Sequence, residues 1–250
     1  MDLTAHRAVI RKSAEEQERI ADLFRLIPSR GDRALDAGAW DGYLAARLTE
    51  RYDHVIALDL NAPTVDHERV ECVQGDITAL TYPDDSFDLV LCTEVLEHVP
   101  SRLLPLACAE LARVARRDLI VGVPFRQDLR LGQTTCGQCG HRNPPWGHVN
   151  SFTLERLRGL FPGLRVEATS YVGRRSGTNA LAAAVTDLAG NPRGTYQQEE
   201  GCLTCGAELV RPAWRPTTKA LAALGVVLQA PTGWLRRNQP GWVHVHFVKG

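Results

Sequence analysis

A chain of 250 residues, 44% hydrophobic and 23% charged, can bury one substantial core and carry an insertion, and it reads as an ordinary globular protein. Its 29 basic residues balance 29 acidic ones, so no global field recruits nucleic acid or an anionic membrane, while a local basic patch stays open. The N-terminal residues show no apolar leader pattern, and the longest apolar run, residues 220–228, falls well below the ~18 residues of a spanning helix. We expect a cytoplasmic protein with no membrane contact, whose seven cysteines serve as thiols or metal ligands.

Residues 3–27 read as a helix with an apolar stripe of Ile20, Leu23, Phe24 and Ile27, ended by Pro28 and Gly31. The next stretch, residues 33–42, runs from a buried-strand pattern into Asp36, Gly38 and Gly42 and on into a helical pattern. Glycine lacks Cβ and lets a backbone pass close beneath a ligand. Asp41 is placed to cap the helix that begins at Tyr43, whose first N–H groups then point outward. The spacing is not the G-x-G-x-x-G of a pyrophosphate cradle, because Asp36 puts a carboxylate where an anion would sit. A cationic ligand fits better, such as the amino group of a nucleoside that carries an amino acid.

Residues 54–59 form the next strand, and strand, helix, strand implies a parallel pair with a right-handed crossover. Asp59 ends that strand about twenty residues after the glycine turn, where a carboxylate can accept both hydroxyls of a ribose. A short strand at 69–73 leads to Asp76, a candidate acceptor for an exocyclic amine, with Ile77 placed to pack on a base. Residues 87–92 are a fourth strand, followed by Thr93, Glu94, Glu97 and His98. Leu103, Ala107, Leu111 and Val114 then share a helical face, and 118–123 is a fifth strand. Residues 164–172 and 242–248 read as the last two, the final one alternating with a more polar face. Cys72, Cys92 and Cys108 fall in strand or helix patterns as core residues.

Four of these segments resemble, in order, the motifs of the class I S-adenosylmethionine-dependent methyltransferases, especially the small-molecule enzymes with an E-V-L-E-H segment. They are Leu35-Asp36-Ala37-Gly38-Ala39-Trp40-Asp41-Gly42, Val55-Ile56-Ala57-Leu58-Asp59, Gln74-Gly75-Asp76-Ile77, and the run from Phe87 through Thr93-Glu94-Val95-Leu96-Glu97-His98. The resemblance spans residues 33–123 and departs from the family pattern at Trp40, where glycine is usual. It implies an α/β, Rossmann-like seven-stranded sheet with an antiparallel last strand, and S-adenosyl-L-methionine as cofactor. The implied cofactor-binding residues are Asp36, Gly38, Ala39, Trp40, Gly42, Asp59, Leu60, Asp76, Ile77, Thr93 and Glu94.

Cys136-Gly137-Gln138-Cys139-Gly140 and Cys202-Leu203-Thr204-Cys205-Gly206 are both C-x-x-C-G. Two intervening residues let both sulfurs face one ion, and the glycine permits the turn that aims backbone N–H groups at sulfur. Two such knuckles make a closed four-cysteine zinc site, structural rather than catalytic. His141 and His148 lie near the first knuckle as alternative ligands. Four unrelated thiols or redox disulfides are the other readings. The expected organisation is an N-terminal helix over 1–30, a core over 31–172 with the first knuckle in loop 124–150, an insertion over 173–240 with the second, and a last core strand over 241–250.

Thr153 is a candidate N-cap for the helix that follows it. The apolar stretch 218–228, flanked by Trp214 and Trp234, is read as a substrate lid, a homodimer face or a cover for the zinc module. His98 and His148, after the fourth and fifth strands, are the candidate catalytic bases. The leading expectation is O-methylation of a small molecule such as a secondary metabolite or sugar. An RNA or protein methyltransferase that uses the zinc module for recognition is the alternative, with zero net charge weighing against nucleic acid. A non-catalytic zinc-binding interaction protein on the same fold is a third.

Overall fold

The computed structural model describes residues 11, 13–198, 201–236 and 239–250. The expected helix over 3–27 appears as α1 (Ala14–Leu26); residues 1–10 and 12 lie outside the described residues. Ser13 caps it by accepting from Glu16 N–H, and Ile20, Leu23 and Phe24 are buried as expected.

The strands follow in chain order: β1 (Gly31–Ala37), β2 (Tyr52–Asp59), β3 (Val70–Gln74), β4 (Phe87–Thr93) and β5 (Ala115–Pro124), then the two-residue β6 (Thr134–Thr135) and β7 (Arg142–Asn143), β8 (Leu164–Val172) and β9 (Trp242–Lys249). Seven of them form one sheet in the order β3-β2-β1-β4-β5-β9-β8. β1 to β5 are parallel neighbours, and β9 is antiparallel to both β5 and β8. The antiparallel strand is thus the last in sequence but lies inside the sheet, with β8 at the edge.

Helices α2 (Tyr43–Leu48) and α3 (Leu104–Val114) connect consecutive parallel strands. α3 turns Leu104, Ala107, Cys108, Leu111 and Val114 inward, one apolar row at helical spacing. They join Leu35, Ile56, Val90 and Val121 in the larger core on one face of the sheet. The opposite face buries Ala34, Val55, Leu89 and Ile120 under α1 and α2. α4 (Leu154–Leu160) starts at Thr153, whose hydroxyl accepts from Arg156 N–H at 3.1 Å.

The chain divides into two compact units. The first holds residues 1–125, 152–173 and 240–250 and contains the whole sheet; the second holds 126–151 and 174–239. Two excursions therefore leave the sheet and return beside their points of departure. Phe125 pairs with Phe152, Phe125 N–H donates to Gly241 O, and Gly241 N–H donates to Val172 O. The second unit contains the β6–β7 hairpin, both C-x-x-C segments, α5 (Ala180–Leu188) and α6 (Pro216–Arg236). Among the described residues no helix is long and apolar enough to cross a membrane.

Candidate functional site

In a parallel sheet the carboxyl ends of the strands gather the loops that can hold a ligand. β1 delivers Asp36 there almost fully buried, with Oδ2 lacking a hydrogen-bond partner among the described residues. Burial pushes this carboxyl up to about 7, Arg11 opposing the rise and Asp41 and Asp59 adding to it. The turn that follows is set by Leu58 O, which accepts from the N–H groups of Gly38 and Ala39 at 2.7 and 3.0 Å.

Three residues of this turn are left-handed, Gly38 at φ 84°, Trp40 at 49° and Gly42 at 72°. A Cβ at Gly38 would stand 2.1 Å from Val95 Cγ2, and one at Gly42 would stand 2.1 Å from Val65 Cγ2. Glycine is required here by the chain's own valines as well as by φ. Trp40 holds its conformation, which costs an L-residue about 1–2 kcal/mol, by donating its N–H to Asp59 Oδ2 at 2.8 Å. Arg11 lies over the Trp40 and Tyr43 rings and pairs with Asp41 at 2.8 Å. Asp41 Oδ1 also accepts from Tyr43 N–H at 3.1 Å, although Gly42 occupies the flanking position of α2.

Asp59 spends one oxygen on the Trp40 N–H, while Oδ1 receives, among the described residues, a long bond of 3.4 Å from Asn61 N–H. A carboxylate has about four acceptor positions, so Asp59 can serve the turn and a ligand together. Leu60 beside it is largely exposed. Asp76 Oδ1 accepts from both N–H and Oγ of Thr78 at 2.8 Å, which fixes the loop that carries the buried Ile77. At the end of β4, Thr93 is buried, and Glu94 after it turns left-handed at φ 58°, its N–H donating to Gly122 O. Glu94 Oε2 accepts from Trp242 Nε1 at 3.0 Å, and its buried Oε1 has no partner among the described residues. His98 lies past this turn, and burial lowers its imidazole from the ordinary range.

A polar layer here escapes sequence reasoning. Arg19 and Asp22 of α1 are buried on the side that faces the sheet. Arg19 pairs with Glu16 at 2.9 Å; Asp22 accepts from His244 Nδ1 and Ser170 Oγ, both at 2.7 Å. Burial raises the Asp22 carboxyl, but the bonds from His244, Ser170 and Arg25 outweigh it and hold it at about 2. The legible signal was the period-two spacing of Trp242, His244 and His246, a polar face on the last strand that needs a polar partner.

In the second unit, the two knuckles repeat one hydrogen-bond pattern. Gly140 N–H donates to Cys136 O and Cys136 N–H to His141 O; Gly206 N–H donates to Cys202 O and Cys202 N–H to Ala207 O. Both glycines have φ 72°. Cys136 Sγ lies 3.7 Å from Cys205 Sγ and Cys139 Sγ lies 3.6 Å from Cys202 Sγ, with all four sulfurs within 4.8 Å of one another. That is too long for a disulfide, and close to the ~3.8 Å edge of a tetrahedron of sulfurs set ≈ 2.3 Å from a central ion. Burial raises the Cys202 thiol, but N–H groups of Cys205 and Thr204 and the neighbouring thiols hold it at about 6. His141 and His148 are not among these four converging ligands. His148 is buried, and its Nδ1 donates to Gln127 Oε1 at 2.6 Å.

The structure thus gathers Asp36, Gly38, Ala39, Trp40, Gly42, Asp59, Leu60, Asp76, Ile77, Thr93 and Glu94 at the carboxyl ends of β1 to β4, and the four cysteines in one cluster. His98 belongs to the first unit and His148 to the second.

Residues 35–121 match the family model described as Methyltransferase domain. The malonyl-[acyl-carrier protein] O-methyltransferase of Halorhodospira halophila is 40% identical over 114 residues, 39% of this chain and 37% of that one. The chain spans less than half the length of the curated relatives it matches. An S-adenosylmethionine-dependent methyltransferase from Mesorhizobium loti aligns at a TM-score of 0.53 and 16% identity, covering 96% of this chain and 100% of that one. The Burkholderia thailandensis 1,6-didemethyltoxoflavin-N1-methyltransferase, solved with 1,6-didemethyltoxoflavin and S-adenosylhomocysteine bound, aligns at 0.55 and 16%, covering 98% and 83%. These structural likenesses show a common fold.

Proposed function

We propose that this chain, which through residues 35–121 belongs to the class I S-adenosylmethionine-dependent methyltransferases, methylates an oxygen of a small molecule. The observation that carries the reading is the buried Asp36 carboxylate, with Oδ2 unpartnered among the described residues beneath a left-handed turn built for close approach. It suits the amino group of S-adenosyl-L-methionine. Asp59 is assigned to the ribose hydroxyls, Asp76 and Ile77 to the adenine, and Leu60, Thr93 and Glu94 to the lining. When bound, the cofactor supplies an electrophilic methyl group that an acceptor oxygen displaces in line. The chain contributes chiefly by aligning the two, an effect worth up to about 7–11 kcal/mol.

His98 and His148 are assigned to removal of the acceptor proton. Burial lowers the His98 imidazole from its ordinary range, which favours the neutral form, and the bond between His148 Nδ1 and Gln127 Oε1 fixes the orientation of that ring. The O-methyltransferase names of two curated relatives support oxygen as the acceptor atom. The four converging cysteines fit structural zinc, and cysteines used as metal ligands suit a cytoplasmic setting.

The test is to incubate the protein with methyl-tritiated S-adenosylmethionine and separate fractions of small metabolites, RNA and protein. We expect label in the small-metabolite fraction, in a base-stable ether or a base-labile ester. Label confined to RNA or protein would overturn the small-molecule assignment.

A further inference from the structure

α6 is amphipathic in the inverted sense. Its small residues Ala222 and Gly225 are buried, and Gly225 approaches α5 so closely that a Cβ would stand 2.6 Å from Thr186 Oγ1. Its larger residues face outward: Leu224 and Val226 are half-exposed, Val227 is 68% exposed and Leu235 73%. Ala220, Ala223, Leu224 and Val227 repeat at i, i+3, i+4 and i+7, so the outward row is continuous. α6 thus sits on α5 through its narrow side and leaves its apolar side uncovered among the described residues.

Along the chain, the charge that flanks this row is one-sided after the exposed Glu208. Residues 209–239 contain Arg211, Arg215, Lys219, Arg236 and Arg237 and no Asp or Glu, in a chain that is neutral overall. Arg211, Arg215 and Lys219 are exposed at the amino end of the helix, next to the half-exposed Trp214. Two copies of the chain joined through this row would bring Arg211, Arg215 and Lys219 of each copy into one interface with no anion in either segment, which opposes a dimer. An anionic lipid surface supplies the missing charge. Exposed tryptophan and basic residues beside an apolar helix face are what an interfacial helix uses, lying in the headgroup layer without spanning it.

We propose that α6 docks this protein on an anionic phospholipid surface, inserting the row from Ala220 to Val227 while Arg211, Arg215 and Lys219 contact the headgroups. The neutral total charge conceals this patch, because the compensating acids lie elsewhere in the chain.

The test is flotation of the intact protein with vesicles of phosphatidylcholine alone and of phosphatidylcholine with roughly 30 mol% phosphatidylglycerol. We expect recovery with the anionic vesicles only, reduced by high salt. Leu224→Asp combined with Val227→Asp should lower recovery at least roughly tenfold, as should Arg211→Glu combined with Lys219→Glu. All four residues are exposed, Arg211 with its guanidinium 5.9 Å from the Tyr196 ring centroid, so circular dichroism and cofactor binding should match the parent and certify folding. Failure of the parent to float with anionic vesicles would overturn the proposal. So would variants that float as the parent does, or a dimer abolished by the Leu224 and Val227 changes while vesicle binding persists.

Discussion

Asp36 carries opposite demands in its two settings. Burial pushes its folded-state carboxyl up to about 7 from an ordinary 3.8, so the folded chain binds the extra proton and burial destabilises it increasingly as pH rises from 4 to 7. Asp36→Asn should therefore raise the melting temperature by several degrees at pH 8 and by less at pH 5, while weakening cofactor binding. A melting temperature unchanged at both pH values would remove the strained carboxylate from the account. Asp22 behaves in the other sense. Held at about 2, it contributes stability that is complete above pH 4 and lost as pH falls through 2, on the order of 2 kcal/mol. In Asp22→Asn that acid transition should flatten, as read by urea unfolding between pH 2 and 5. The motif positions, from Asp36 to Glu94, were legible because they sit at fixed places after strands. Arg19 and Asp22 were not, since a charged residue on α1 reads as a solvated one until Ser170 of β8 and His244 of β9 are laid against that helix; nor was Arg11, which precedes α1 and meets Asp41 and the Trp40 and Tyr43 rings.

At the scale of elements, apolar runs located the strands, and their ends were missed where hydrogen bonding continues past the apolar run. β5 begins at Ala115 because it pairs with Phe87, although Arg116 and Arg117 are exposed. β1 likewise begins at Gly31 through its pairing with Tyr52. α6 was expected over 218–228 and runs on to Arg236 past Pro231. A proline removes one helical N–H, and Asn179 Nδ2 donates to the Leu228 carbonyl and to Thr232 Oγ1 in that turn. Two element-scale outcomes follow. Leu111→Ala, in the fully buried row of α3, should cost about 2–5 kcal/mol of unfolding free energy in urea. Purified protein should contain one zinc per chain, and Cys139→Ser should lower metal content and melting temperature together, whereas a metal-free protein with four reduced thiols would contradict the assignment.

For the whole molecule, composition and neutral charge described the average and hid the distribution. The chain builds its sheet from three separate segments and threads the second unit out and back at two places beside the end of β5. Sequence reading assigned the first knuckle to a loop of the core and the second to an insertion; contacts group residues 126–151 with 174–239, because convergence of the four sulfurs joins segments far apart in the chain. The methyl-donor site on the sheet is the claim on which the functional account stands. Titration calorimetry with S-adenosylmethionine on the parent and on Asp59→Ala tests it most directly. The account predicts saturable one-to-one binding that Asp59→Ala weakens at least roughly tenfold, as expected when a carboxylate's bonds to a ligand are lost. Undiminished affinity in the variant, or no binding by the folded parent, would contradict it.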